Sequence, residues 1–175
     1  IMPSLVGSEM CIRDSTGFGP QNPQPGYDLL VQGLSGFMSL TGEADGKPYR
    51  AGVAIFDVIT GLHTTIGILA ALRHRSQTGE GQKVDTNLLS SALSGLANQT
   101  SAYVAGGVVP HRMGNEHPSL YPYQPMPTGE GELIVAVGNN RQFEILCTVI
   151  DRRELLDDPR FAHNADRNAN RRELE

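Results

Sequence analysis

The chain has 175 residues, a net charge of −5 at neutral pH and two cysteines. The mildly acidic balance speaks against nucleic acid or an anionic membrane surface as a partner. No apolar run approaches the roughly 20 residues that span a bilayer, so no membrane span is expected, and the first residues lack the basic start and apolar core of a signal peptide.

Leu5–Ser15, LVGSEMCIRDS, resembles one reading frame of a common sequencing adapter along its whole length, so Ile1–Ser15 is read as a non-native segment. Setting it aside removes Cys11 and leaves Cys147, which suits a reducing, cytoplasmic setting. Cys147 lies on an apolar helix face and reads as inert core.

Thr16–Gly26 is dense in Gly, Pro and Asn and reads as loop. Tyr27–Leu40 reads as one helix with Leu30, Leu34, Phe37 and Met38 as its apolar side. Glu43–Arg50 is a polar turn. A short apolar run, Val53–Phe56, then leads to Asp57. From there the spacing predicts a helix of about five turns. Leu62, Ile66 and Leu69 recur at helical spacing, widened by Ile59, Ile68 and Leu72, so the helix is expected to be buried. Arg73-His74-Arg75 suits the negative end of its dipole.

Asp57 falls where this helix begins. An acid there can cap free backbone N–H groups, and those donors favour its ionised form. A carboxylate held ionised at such a junction can also attack an acyl carbon. Spacing does not decide between the two roles. His63, at i+6 from Asp57, is off its face and reads as a packed or capping residue.

Thr78–Gly81 ends the helix as a tight turn, without the spacing of a phosphate-binding loop. Gln82–Thr86 is expected to be a short strand, so Val53–Thr86 reads as a parallel β-α-β unit. Ligands bind such sheets at the carboxyl ends of strands, where Asp57 and Thr86–Leu88 lie. Asp85 is expected to cap a second buried helix, Asn87–Ala105, with Leu89, Leu93, Leu96 and Val104 inside and Gly106-Gly107 at its end.

Val108–Pro127, rich in proline, reads as a linker. His111 and His117 lack a third ligand, so no metal site is expected. Thr128–Gly131 is a hairpin turn before the strand Glu132–Val137. Asn140 is expected to cap the helix Arg141–Ile150, whose stripe is Phe143, Leu146, Cys147 and Ile150. Asp157–Phe161 is a turn, Arg152-Arg153 and Arg171-Arg172 read as solvated faces, and Asn170–Glu175 as helix.

Four stretches carry a family resemblance: GYDLLVQGLSGFMSLTG (Gly26–Gly42), AGVAIFDVITGLH (Ala51–His63), ILAALRHRSQTGEGQKVD (Ile68–Asp85) and VAVGNNRQFEILC (Val135–Cys147). In this order they resemble the CaiB/BaiF family, the class III coenzyme A transferases. The resemblance implies an α/β fold. It comprises part of a Rossmann-like open parallel-sheet large domain (16–106), a linker (107–127) and part of a small α+β domain (128–175). Members are much longer, so the chain reads as a fragment, and they form interlocked homodimers. The family's nucleophilic acid falls on Asp57. Phe18 and Leu88 match coenzyme-contacting positions, although a loop aromatic folded on the core and plain core packing suit them as well. Gly114, Asn115 and His117 stand where some members carry a glycine-rich loop over the catalytic acid, and the departure from that glycine run tells against oxalate. For His117 a substrate-facing and a loop-stabilising role stay open.

The family uses no resident cofactor or metal; an acyl-CoA and a small carboxylic acid are its substrates. Asn87–Val104, with the later words PYQP and VGNNRQF, resembles the dicarboxylate branch, the succinyl-CoA:glutarate-type transferases. The related α-methylacyl-CoA racemases carry a histidine at Tyr27, paired with the acid matching Asp57. Epimerisation needs two opposed proton-transfer groups, and a phenol with a pKa of about 10 is a poor one. Tyr27 therefore favours transfer. An inert acyl-CoA-binding piece is the other alternative, because the family's adenine- and phosphate-binding region precedes Thr16.

Overall fold

A computed structural model describes residues 26–175. The adapter-like segment, the expected loop from Thr16 and Phe18 lie outside the described residues. The chain divides into two compact units. One holds residues 26–41 with Lys47–Arg112, the other Gly42–Gly46 with Met113–Glu175.

The described part of the first unit is helical. The single helix expected over Tyr27–Leu40 is two, α1 (Asp28–Leu34) and α2 (Phe37–Leu40). The break falls at Gly36, whose φ of 84° is left-handed and free of a Cβ penalty only for glycine. Val31 and Gln32 form the buried face; Leu30 and Leu34, expected inside, are about half exposed.

The long helix α3 (Ile55–Thr78) ends as expected at Gly79, whose N–H donates to the Arg75 carbonyl at 2.8 Å. Its start differs: Ala54 is the N-cap, so Asp57 is the third helical residue rather than the cap. The strands expected at Val53–Phe56 and Gln82–Thr86 are not formed, and the β-α-β unit with them. A strand is held by its ladder partners, and no described residue pairs with either segment.

Nor is α3 buried. Val58, Leu62, Ile66 and Leu69 are each more than half exposed, and Phe56 is the helix's buried residue. By length and composition α3 could cross a membrane, which corrects the expectation drawn from the sequence; core helices of soluble proteins meet the same criterion.

The helix expected over Asn87–Ala105 is also two, α4 (Leu88–Gly95) and α5 (Ala97–Gly106), broken where Ala97 takes φ 40°. Leu93 and Val104 are exposed rather than buried. Asn87, not Asp85, caps α4: its Oδ1 accepts the Ser90 N–H at 2.8 Å. Asp85 instead pairs with Lys83 on the surface. Gly107 closes α5 in the left-handed conformation its position predicts.

Val31, Phe56, Leu88 and Ala92 make the core of this unit, with Phe37, Ile55 and Ile59 packed against it. Phe37 meets Phe56 edge-on at 5.4 Å. Each fully buried large side chain contributes about 1.5–3 kcal/mol by leaving water.

In the second unit β1 (Tyr123–Thr128) pairs antiparallel with β2 (Gly131–Ala136), with Tyr123 opposite Ala136. The hairpin turn falls where the sequence places it. The first strand occupies residues expected to be linker, prolines included. A two-stranded ribbon has one bonded edge per strand, so Pro125 and Pro127 can turn their missing N–H groups outward.

Helix α6 (Asn140–Val149) is capped by Asn139, not Asn140: the Asn139 Oδ1 accepts the Gln142 N–H at 3.0 Å. Two 3-10 turns, Arg153–Leu156 and Pro159–Phe161, lead to α7 (Asn164–Ala169) and α8 (Arg171–Leu174). Val137, Phe143, Cys147 and Phe161 form the core, ringed by Leu146, Leu155 and Leu156. Ile150, expected in the stripe, is exposed. Arg171 is no solvated charge: it pairs with Glu116 at 2.8 Å and donates to the His117 carbonyl at 2.6 Å.

Candidate active site

Asp57 is exposed in the first turn of α3. The neighbouring Phe56 ring is 1% exposed, so adjacent residues of one turn point into the core and out of it. The chain enters α3 through a tight bend. Ala54 has φ −74° and ψ 70°, and the Ile55 N–H donates to the Val53 carbonyl at 2.9 Å, an inverse γ-turn.

Two side chains of α1 hold this bend from both sides. Asp28 accepts the Phe56 N–H through Oδ1 at 2.9 Å. Its Oδ2 accepts from the Gln32 side-chain amide. Gln32 Oε1 accepts the Ala51 N–H at 2.8 Å. Asp28 is 9% exposed and Gln32 fully buried. The cap role that the sequence offered Asp57 is therefore also served by Asp28, from another helix. Neither Asp28 nor Gln32 stands out in the sequence, although their i, i+4 spacing on one helix is the signal that would have paired them.

Leu88, at 5% exposure, packs in the core with Phe56, Val31 and Ala92. Core packing is one of the two alternatives the sequence left open for it. His63 packs as expected, with Nδ1 3.1 Å from Ser91 Oγ, and Thr64 Oγ1 lies 2.7 Å from Thr86 Oγ1. Tyr27 is the N-cap residue of α1 and is largely exposed.

Gly114, Asn115 and His117 share one loop of the second unit. Gly114 has φ 60° and donates to the Gly42 carbonyl at 3.0 Å. A Cβ there would stand 3.2 Å from the Glu43 carboxylate, so the position suits glycine twice over. Asn115 is exposed. His117 Nδ1 accepts the Ser119 N–H at 3.1 Å, and its ring rests against Tyr123 at 5.1 Å. With Arg171 on its carbonyl, His117 holds the loop together. Among the described residues, no group of three or more His, Cys, Asp or Glu side chains could hold a metal ion.

Behind this loop Arg167 is fully buried. It donates to the Tyr121 carbonyl at 3.1 Å, the Phe161 carbonyl at 2.9 Å and Asn140 Oδ1 at 2.9 Å, and its guanidinium lies 4.5 Å from the Phe143 ring centroid. Burial lowers its pKa from the usual arginine value.

A family model described as CoA-transferase family III matches residues 3–175. The succinate–glutarate CoA-transferase of Agrobacterium fabrum is 47% identical over 162 residues, which is 91% of this chain and 40% of that protein. The succinyl-CoA:glutarate CoA-transferase of Mus musculus is 40% identical over 91% of this chain and 37% of its own length. A crystal structure of a CaiB/BaiF family protein from Brucella suis superposes with a TM-score of 0.68 at 44% identity, covering 92% of this chain and 43% of that one. The chain thus spans about two fifths of the relatives it matches.

Proposed function

The chain belongs to CoA-transferase family III, and on that premise we propose that the intact protein moves coenzyme A from an acyl-CoA to a carboxylic acid through Asp57. One observation carries this reading: Asp57, which the resemblance matches to the family's acid, is an exposed carboxylate in the first turn of a helix whose entry is held by hydrogen bonds to Asp28 and Gln32.

The chemistry runs in two halves. The Asp57 carboxylate attacks the thioester carbonyl, giving a mixed anhydride and coenzyme A thiolate. The thiolate attacks the aspartyl carbonyl, releases the first acid as carboxylate and leaves an aspartyl-CoA thioester. The acceptor carboxylate attacks that thioester, and the freed thiolate then takes the acceptor's acyl group and restores Asp57. Thioester free energy stays on the enzyme throughout. Backbone N–H groups at the start of α3 and its dipole favour the anionic species.

The names of the relatives support succinyl-CoA as donor and a small dicarboxylate as acceptor. Gly114, Asn115 and His117 are proposed to serve the acceptor acid, and Phe18 and Leu88 the coenzyme. The large domain of the intact protein is proposed to contain a Rossmann-like open parallel sheet built from chain outside these residues. The interlocked homodimer and a cytoplasmic location are proposed on the same family basis. Tyr27 tells against the racemase alternative.

The test is Asp57→Ala in the intact protein, assayed by exchange of labelled succinate into acyl-CoA. Turnover should fall by at least about a thousandfold. Turnover within about tenfold of the parent would remove the nucleophile.

A further inference from the structure

We propose that Asp28 and Gln32 are positioning residues for Asp57: a buried acid–amide pair on α1 fixes the inverse γ-turn that delivers Asp57 to its attacking position. The inference rests on the nucleophile reading above and adds two residues to it.

The pair's bonds reach the two sides of the turn. Gln32 Oε1 takes the Ala51 N–H, three residues before Ala54, and Asp28 Oδ1 takes the Phe56 N–H, two residues after it. The bond between Asp28 Oδ2 and the Gln32 amide ties the two anchors together. Asp57 is the next residue after the second anchor. The Phe56 ring, locked against Phe37 and in the core with Leu88, stops the turn from rolling about the helix axis.

Burying a carboxylate and an amide is costly unless every polar atom is matched. Apolar side chains would fill the same space beside Val31 and Phe56 more cheaply. The polar pair instead holds backbone N–H groups 19 and 28 residues away in sequence, on the segment that carries Asp57. Such geometry matters to chemistry, because misplacing a reacting group by about 1 Å can cost about a hundredfold in rate.

The donor pattern allows a test by exchange. In Asp28→Asn the new amide oxygen can keep the Phe56 N–H, but the amide NH2 then faces the Gln32 NH2. Turning Gln32 over mends that contact and sets its NH2 against the Ala51 N–H. One of the three bonds is lost either way. Gln32→Glu opposes two carboxylates. In Asp28→Asn with Gln32→Glu together, the amide donates to the new carboxylate, which still accepts the Ala51 N–H, and all three bonds return.

The experiment measures kcat and KM for acyl-CoA in the intact protein for the two single variants, the exchanged double variant and Asp57→Ala. Melting curves accompany each. The single variants should lose kcat by about tenfold to a hundredfold with KM within about twofold, and the double variant should recover kcat to within about threefold. Single variants that fold and keep the parent kcat would overturn the proposal. So would a folded double variant more than about tenfold slower than the parent, and this measurement decides the matter even if the singles unfold. Asp57→Ala separates the two claims. If it is inactive while the singles keep full kcat, the positioning role fails alone. If it stays active, the nucleophile reading fails and takes the positioning role with it.

Discussion

Gly95 of α4 lies directly against Ile59 of α3: a Cβ built on Gly95 would stand 2.9 Å from Ile59 Cδ1 and 3.7 Å from a Phe56 ring carbon. Any side chain here pushes on the core that seats Phe56. Gly95→Val should therefore destabilise the first unit by about 1–3 kcal/mol. Gly95→Ala should cost less, because the opposing atom is the end of a flexible side chain. Urea unfolding followed by circular dichroism gives the ranking; equal midpoints for the parent and Gly95→Val would show that the contact gives way freely.

Among the described residues, the hydrogen bonds of Arg167 go to two carbonyls and Asn140. Arg167→Met keeps much of the volume but strands the Tyr121 and Phe161 carbonyls. Each buried unpaired group costs about 1–3 kcal/mol. The second unit should unfold at a clearly lower denaturant concentration, seen by tyrosine fluorescence, while the first unit's transition stays put.

Burial raises the pKa of the Cys147 thiol above its usual 9.0, and burial likewise raises Tyr121 above 10.0. A group with a raised folded pKa binds its proton more tightly folded than unfolded. Its contribution is whole below the unfolded value and is lost as pH rises through the folded one. The second unit should therefore lose stability above about pH 9, with Cys147 resisting alkylation until unfolding exposes it. Denaturant midpoints from pH 7 to 11, with peptide mapping of alkylated Cys147, check both statements.

The exposed apolar side of α3 gives a test of the sheet and second subunit proposed for the intact protein. Ile66 and Leu69 are each more than half exposed. If other parts of the intact protein or its second subunit pack there, Ile66→Asp and Leu69→Asp should each cost the intact protein several kcal/mol or its assembly. Unchanged melting and unchanged size by light scattering in both variants would leave α3 a free surface.

The sequence showed those features whose causes are local. The end of α3 at Gly79, the hairpin turn at Thr128–Gly131 and the inward residues Phe143 and Cys147 follow from glycine conformation and from helical spacing. What it hid depends on partners distant along the chain. A strand at Val53–Phe56 needs a ladder that the described residues do not supply, and the burial expected for Leu62 and Ile66 needs a surface to pack on. Two long helices are split because Gly36 and Ala97 adopt positive φ, which periodicity does not reveal. Around Asp57 the family words are what single out this acid for the proposed role. The bonds that fix its turn come from Asp28 and Gln32, whose partners lie 19 and 28 residues away.

The central claim is that Asp57 carries the acyl and then the coenzyme A group, and one measurement reaches it directly. The intact protein is incubated with succinyl-CoA, quenched with hydroxylamine, digested and mapped by mass spectrometry. An aspartyl-CoA thioester converts under these conditions to a hydroxamate, so the peptide containing Asp57 should carry it only when acyl-CoA was present. A hydroxamate on another residue, or an unmodified Asp57 peptide from protein that is turning over, would contradict the account.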